Sequence, residues 1–477
     1  MIGTHADQKY CAEWRLVTTF DEVSVPHLHF SAFVMNTTSH ILQGLWRRPD
    51  ARQTDFNSLE HWVHLANVLE RGRFDVIFFA DVVGLYGDYG GSYEKYVQAG
   101  LQIPSNDPSV IASAIAYNTT DIGIAVTSSV IQDHPFNFAR KMSTLDHASN
   151  GRIAWNIVTS GLANAARNFG YDGLEEHDER YRWAQEYVDV TYKLWEGSWD
   201  DGALLQDRVR GLHGDYSKIH KIHHVGERYS VEGPHLVAPS PQRTPILFQA
   251  GSSTAGRDFA AHNAEAQFII SPGPEHAREL IEDTRRRVVA AGRKPDDLKF
   301  FQGLHFVIGS TEEEARRKEV ELDEAIDLDG MVAHLSGAVG VDFGGHDLDT
   351  PLGDITDTDG TRSIVAWVQE SVSGREATVR DLGLLQGRNS RVVGTPESIA
   401  DQLQRWRDAG VDGINVVNAT IPGSYEDFVE YVTPVLQRRG LAQRHYRPGT
   451  LRAKLFGADR IDERHPAARY RGAFVGQ

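Results

Sequence analysis

Eight short apolar runs recur along the chain, and their character restricts the fold more than any other feature. They are HFSAFVM (29–35), FDVIFFA (74–80), DIGIAVT (121–127), RIAWNIVT (152–159), PILFQA (245–250), AQFIIS (266–271), KFFQGLHFVIG (299–309) and GINVVN (413–418). Most are continuous rather than alternating, as expected of parallel strands buried on both faces. Amphipathic segments lie between them. Leu59, Trp62, Ala66 and Leu69 repeat at three- and four-residue steps, and Ile399, Leu403 and Trp406 do so after the helix-start signal Thr395-Pro396-Glu397. Arg140, Lys141 and Asp146 sit on a similar segment after the third run. Eight strands with intervening helices predict an α/β fold of the (β/α)8 TIM-barrel type, with a doubly wound sheet as the runner-up.

Two stretches interrupt the alternation. One insertion is expected at about 200–243, after strand four, and a longer one at about 311–392, before the last helix–strand pair. The second is rich in Gly and Asp (GVDFGGHDLDTPLGDITDTDGT), which suggests mobile loops or a lid. The expected organisation is an N-terminal extension over 1–28, a barrel over 29–440, and a basic, loop-like C-terminal extension over 441–477. That last segment is expected to lie over the barrel or over a neighbouring subunit.

Composition narrows the partners. A net charge of −17 over 477 residues repels phosphate backbones, so nucleic acid is not an expected partner. The single Cys11 excludes an internal disulfide and a thiolate metal cluster. No apolar run approaches a membrane span, and MIGTHADQKYCAEW lacks a signal-peptide core. The expected location is therefore cytoplasmic.

The polar groups gather at the strand ends, where barrel enzymes keep their chemistry. The first run leads into Asn36, Thr37 and His40, the second stops at Asp81, the third ends TSS, the fourth ends NIVTS and the fifth ends QAGSS. In LFQAGSSTAGRDFAAHNAEA the spacing Gly251-x4-Gly256 imitates a nucleotide-binding P-loop. Arg257 and Asp258 stand where that motif needs Lys and then Ser or Thr. A helix start behind small residues still suits an anion. There is no HExxH and no GxSxG elbow. His220, His223 and His224 lie in a charged insertion without partner cysteines and read as solvated loop residues, so no metal is expected. GDYGGS (87–92) reads as a flexible turn by the mouth. Neutral hydrogen-bonding groups, one carboxylate and a phosphate-ready helix start suit a phosphorylated cofactor with a polar ring system.

Longer stretches carry a resemblance. SAFVMNTTSHILQGLWRRPD, RGRFDVIFFADVVGLY, LQIPSNDPSVIASAIAY, HPFNFARKMSTLDHASNGRIAWNIVTS, NFGYDGLEEHDERY, KLWEGSWDD, GPHLVAPSPQRTPILFQAGSSTAGRDFA and PGSYEDFVEYVTPVLQRRGL together resemble the bacterial-luciferase-like two-component flavin monooxygenases. The branch is that of the long-chain alkane, dibenzothiophene sulfone, dimethyl sulfide, nitrilotriacetate and EDTA monooxygenases, with riboflavin lyase among the relatives. The resemblance covers roughly residues 29–460. It implies a TIM barrel that takes reduced FMN from a separate NAD(P)H:flavin reductase, reacts it with O2 to a peroxyflavin and oxygenates a small apolar or heterocyclic substrate. It also implies a homodimer or homotetramer.

Carried over by motif, Asp81 would face the flavin ring, and Thr127 and Asn156 would bond its edge. Ser160, Tyr181, Ser252 and Ser253 would hold the phosphate, with Gly251 permitting close approach. His40, Tyr86, Gln102 and His334 match catalytic-pocket positions. Two departures from the alkane-oxidising relative stand out: Thr37 replaces a cysteine, and Gly161 replaces a histidine, which opens space for a bulkier, more heteroatom-rich substrate. The alternatives are an oxidative lyase acting on a flavin-like heterocycle, a deazaflavin-dependent reductase or dehydrogenase of the same superfamily, and a non-catalytic flavin-binding protein.

Overall fold

The computed structural model describes residues 27–476, apart from 88, 340, 356–367, 370, 371 and 373. Cys11 and nearly all of the expected N-terminal extension therefore lie outside the described residues. All eight apolar runs are strands: β1 (His29–Met35), β2 (Val76–Ala80), β3 (Gly123–Ser129), β4 (Ile153–Val158), β5 (Ile246–Gln249), β6 (Ala266–Ile269), β7 (Lys299–Ile308) and β8 (Gly413–Val417). Each pairs in parallel with the next in chain order, and β8 returns to β1 in the register His29↔Gly413 to Phe33↔Val417. The sheet is a closed (β/α)8 barrel, and the doubly wound alternative falls.

Both faces of the strands are buried, which explains the unbroken apolar runs. Inward, Phe33, Val76, Phe78, Ala154, Phe248 and Phe301 fill the barrel. Outward, Val34, Ile77, Phe79 and Trp155 meet the helical layer. Trp62, Ala66 and Leu69 of the helix Leu59–Arg71 are buried there as their spacing predicts, whereas Leu59, at the first turn, is 52% exposed. Thr395 caps the helix Pro396–Asp408 by accepting from the Ser398 amide. A ninth strand, Arg391–Gly394, pairs with the C-terminal part of β7 from His305 to Ile308. The ten-residue β7 outreaches its barrel neighbours and leaves an edge to be covered.

The C-terminal segment is more than the expected loop. The helix Leu451–Phe456 closes the floor of the barrel, with Leu451 and Leu455 packed into the interior cluster. Arg452, 1% exposed, makes a bidentate bond to Glu265 at 2.7 and 2.8 Å. This segment packs against the floor of its own barrel.

The stretch around 200–243 carries two small antiparallel pairings, Leu204–Asp207 with Leu212–Gly214 and His224–Val225 with Ser230–Val231. The solvated reading of its histidines needs correction. His220 and His224 are buried and paired, His220 with Asp200 at 2.9 Å, and His224 with Lys193 at 2.8 Å and Glu186 at 3.3 Å, while His223 is exposed. Among the described residues no cluster of ligating side chains suits a metal ion. In the longer stretch, helices Leu328–Val339 and Val379–Arg388 share a cluster of Val332, Phe343, Leu352, Val379 and Leu382. Two residues of its Gly/Asp-rich run, Phe343 and Leu352, are thus core residues. No helix among the described residues is long and apolar enough to cross a membrane.

Candidate active site

Two adjoining chambers open at the C-terminal ends of β2 to β5. They share the wall Asp81–Val83, which follows β2. The first, about 270 Å³, is lined by Ser129, Ser160, Gly161, Tyr181, Gln249 and Gly251 among others. The second, about 480 Å³, is lined by Tyr86, Gln102, Ser105, Asp107 and Asn164 among others.

The first chamber is built around the loop after β5. A Cβ on Gly251 would lie 2.4 Å from Gln249 Nε2, 2.6 Å from the Tyr181 hydroxyl and 2.8 Å from Gly256 Cα, so only glycine fits. Ser253 caps the helix Thr254–Asn263, its Oγ accepting from the Gly256 amide at 3.1 Å and lying 3.2 Å from His177 Nε2. Ser252 beside it is exposed. Tyr181 bonds Ser253 and Gln249, and burial pushes its hydroxyl pKa up. The helix start adds partial positive charge at this wall. Arg257 and Asp258 are committed elsewhere, to Asp283 at 2.8 Å and Arg287 at 2.6 Å, so the P-loop imitation ends at its glycines.

Across the chamber, Ser160 adopts a left-handed backbone (φ 58°), bonds Ser129 through the two hydroxyls at 2.8 Å, and accepts at its carbonyl from Arg180. A Cβ on Gly161 would meet nothing within 4 Å, which confirms open space there. Thr127 and Asn156 face each other across β3 and β4, with Asn156 Nδ2 donating to Thr127 Oγ1 at 2.9 Å. They sit just inside the barrel mouth rather than in the chamber wall. Asn156 Oδ1 and Gln249 Oε1 are buried and have no partner. Such acceptors are costly to leave unpaired and can take a donor from a bound group or an ordered water. Asp81 is raised from the ordinary 3.8 to about 7, first by burial and then by the nearby Asp107 carboxylate.

Tyr86 and Gln102 line the second chamber, and behind them Gln102 meets the buried His40 and His334. Gln102, in a left-handed backbone (φ 54°), donates through Nε2 to the His40 carbonyl at 3.1 Å and lies 3.0 Å from His334 Nε2. Because a carbonyl only accepts, the amide nitrogen must face His40, and His334 Nε2 then accepts. His334 therefore carries its proton on Nδ1, 3.2 Å from the Gln386 side-chain amide, whose oxygen belongs on that side. Burial lowers the His334 pKa to about 4 and, with His334 beside it, that of His40 to about 3, so both rings are neutral near pH 7. The Tyr86 ring lies 5.1 Å from His334 and its hydroxyl bonds Gln102. Both His334 nitrogens are engaged by amides, which makes it a holder of Gln102. His40 Nδ1, by contrast, is buried without a partner.

Sequence reasoning missed Gln386, Asp107, Gln249 and His177. Asp107-Pro108 was legible as a helix start, and Asp107 does cap Pro108–Asn118 through Ser109. Gln386 comes from the long insertion, where no pattern announces a site. GDYGGS is anchored to that insertion, with the Gly90 and Gly91 amides donating to Asp342 at 2.8 and 3.2 Å.

Known proteins share this fold and much of this sequence. The luciferase-like monooxygenase family pattern matches residues 35–413. Dimethyl-sulfide monooxygenase of Hyphomicrobium sulfonivorans is 44% identical over 94% of each chain, and its crystal structure superposes with a TM-score of 0.89. Long-chain alkane monooxygenase of Geobacillus thermodenitrificans is 43% identical over 93% of this chain and 98% of its own. A long-chain alkane monooxygenase structure gives a TM-score of 0.86. A riboflavin lyase, solved with modified FMN and riboflavin, is 34% identical over 93% of this chain and 99% of its own, with a TM-score of 0.84. By fold and sequence together, the chain belongs to the luciferase-like monooxygenase family and shares its flavin-dependent oxidoreductase character.

Proposed function

We propose that this protein is the oxygenating component of a two-component monooxygenase, taking reduced FMN from a separate NAD(P)H:flavin reductase and using O2 to oxygenate a small organic substrate. The observation that carries the reading is the Gly251 cradle. The bare backbone of Gly251 packs against Tyr181, Gln249 and Gly256 and sets the Ser253-capped helix start at the chamber wall, which supports a phosphate there. Ser160, Tyr181, Ser252 and Ser253 hold that phosphate. Asp81, Thr127 and the unpartnered Asn156 Oδ1 meet the ring, whose N–H groups suit such acceptors. Bound reduced FMN supplies the electrons that activate O2. His40, neutral and with a free Nδ1, is the hydrogen-bonding group for the reacting oxygen or the substrate. Gln102 and Tyr86 orient the substrate, and His334 acts by fixing Gln102. The helix Leu328–Val339 brings His334 to this network. A homodimer or homotetramer in the cytoplasm completes the proposal.

A second reading, oxidative cleavage of a flavin-like heterocycle, is favoured by the open space at Gly161. The test mixes anaerobic protein with reduced FMN, admits 18O2 and analyses products from sulfide, alkane and heterocyclic substrates. One 18O atom in a product is expected. FMN oxidation without label in any product defeats the monooxygenase reading.

A further inference from the structure

The helix Pro108–Asn118, between β2 and β3, is apolar towards solvent as well as towards the barrel. Inward, Ile111, Ala112, Ile115 and Ala116 join the core. Outward, Val110 is 68% and Tyr117 90% exposed, with Ser113 and Ala114 between them. The helix sequence PSVIASAIAYN holds no Asp, Glu, Lys or Arg. Every other described helix of ten or more residues carries at least one. A helix without a charged face suits burial on both sides, and its own chain covers one.

Charge and symmetry choose the other cover. Each copy of the chain carries −17, so two copies repel over most of their surface and approach most readily where charge is missing. The outer residues are also their own complement. Val110, Ser113, Ala114 and Tyr117 follow the i, i+3, i+4, i+7 spacing of one helix face, symmetric about a midpoint between Ser113 and Ala114. In an antiparallel pair of such helices, with a two-fold axis at that midpoint, each Tyr117 ring covers the partner's Val110. The small Ser113 and Ala114 then let the two axes approach to about 8 Å. Ser113 donates to the Val110 carbonyl of its own helix at 3.1 Å, so its hydroxyl is not stranded at the crossing. Leu59, 52% exposed, extends the patch. It starts the adjoining helix Leu59–Arg71, whose entry is tied to this one by the Asn106 to Asn57 side-chain bond at 2.7 Å.

Resting on the assembly named above but not on the flavin, we propose that the helix Pro108–Asn118 is the interface with a second copy of this chain. It packs antiparallel against the same helix, with Tyr117 over the partner's Val110. Tyrosine suits the centre of such a contact, because it covers a large area and is rigid.

The test is sedimentation velocity on the full-length protein across a dilution series, which gives the dissociation constant of the assembly. The parent is expected to be a dimer or larger at micromolar concentration. Tyr117→Glu should raise the dissociation constant at least about a hundredfold. Its circular-dichroism spectrum should match the parent's, because the side chain lies in solvent within one copy. Adding Val110→Lys to Tyr117→Glu sets opposite charges against each other on both sides of the axis and should recover about tenfold. A monomeric parent, an unaltered dissociation constant in Tyr117→Glu, or no recovery in the double variant overturns the proposal. FMN titration of the same samples keeps the cofactor reading separate. A dimeric parent that binds no FMN counts against the cofactor alone, and an FMN-binding parent whose assembly ignores Tyr117→Glu counts against the interface alone.

Discussion

Replacing Asp81 by Asn should stabilise the free protein, and only above a definite pH. Asp81 is raised from 3.8 to about 7, first by burial and then by Asp107. The folded protein thus holds this proton more tightly than the unfolded chain does. Stability must then fall as pH rises from about 4 to about 7, where only the unfolded chain has released the proton, and stay level above, where both states are ionised. The whole interval corresponds to about 4 kcal/mol at 1.36 kcal/mol per pH unit. The chamber leaves Asp81 partly open to water, so about 2–4 kcal/mol is the expected range. Asn keeps the shape without the charge. Urea unfolding at pH 4, 6 and 8 should show Asp81→Asn matching the parent at pH 4 and exceeding it by that amount at pH 8. An equal difference at every pH, or none at pH 8, refutes the assignment of an uncompensated carboxylate to this wall.

Other substitutions probe the rest of the site and its support. Gly251→Ala forces a methyl against Gln249, Tyr181 and the Gly256 backbone, an overpacking of about 1–3 kcal/mol, and should weaken FMN binding about tenfold or more in a fluorescence titration. Gly161→His fills open space, so it should leave the urea midpoint within about 0.5 kcal/mol of the parent while reducing turnover of bulky heterocycles relative to small substrates. Arg452→Ala strands the buried Glu265 and should cost about 3–5 kcal/mol in urea unfolding.

The barrel was legible because its strands are buried on both faces and therefore announce themselves as unbroken apolar runs. Arg391–Gly394 escaped because RVVG is too short to carry a period and exists only to cover the overhang of β7. The buried state of His220 and His224 was hidden for a different reason. Their partners Asp200, Lys193 and Glu186 lie well before them in the chain, so local composition reads as solvated. The tight turn at Gly251 and the helix start after it could be expected from the glycine and serine spacing alone. The tautomer of His334 could not, because it depends on Gln102 and Gln386, which lie 232 and 52 residues away. Strand ends are local facts of sequence, whereas a hydrogen-bond chain across an insertion exists only after folding.

The most direct test of the phosphate cradle compares reduced FMN with reduced riboflavin, which differ only in the phosphate, by anaerobic calorimetry on the full-length protein. The cradle predicts that reduced FMN binds at least about a hundredfold more tightly, and that Gly251→Ala removes most of this preference. Equal affinity for the two flavins, or a preference untouched by Gly251→Ala, would contradict it.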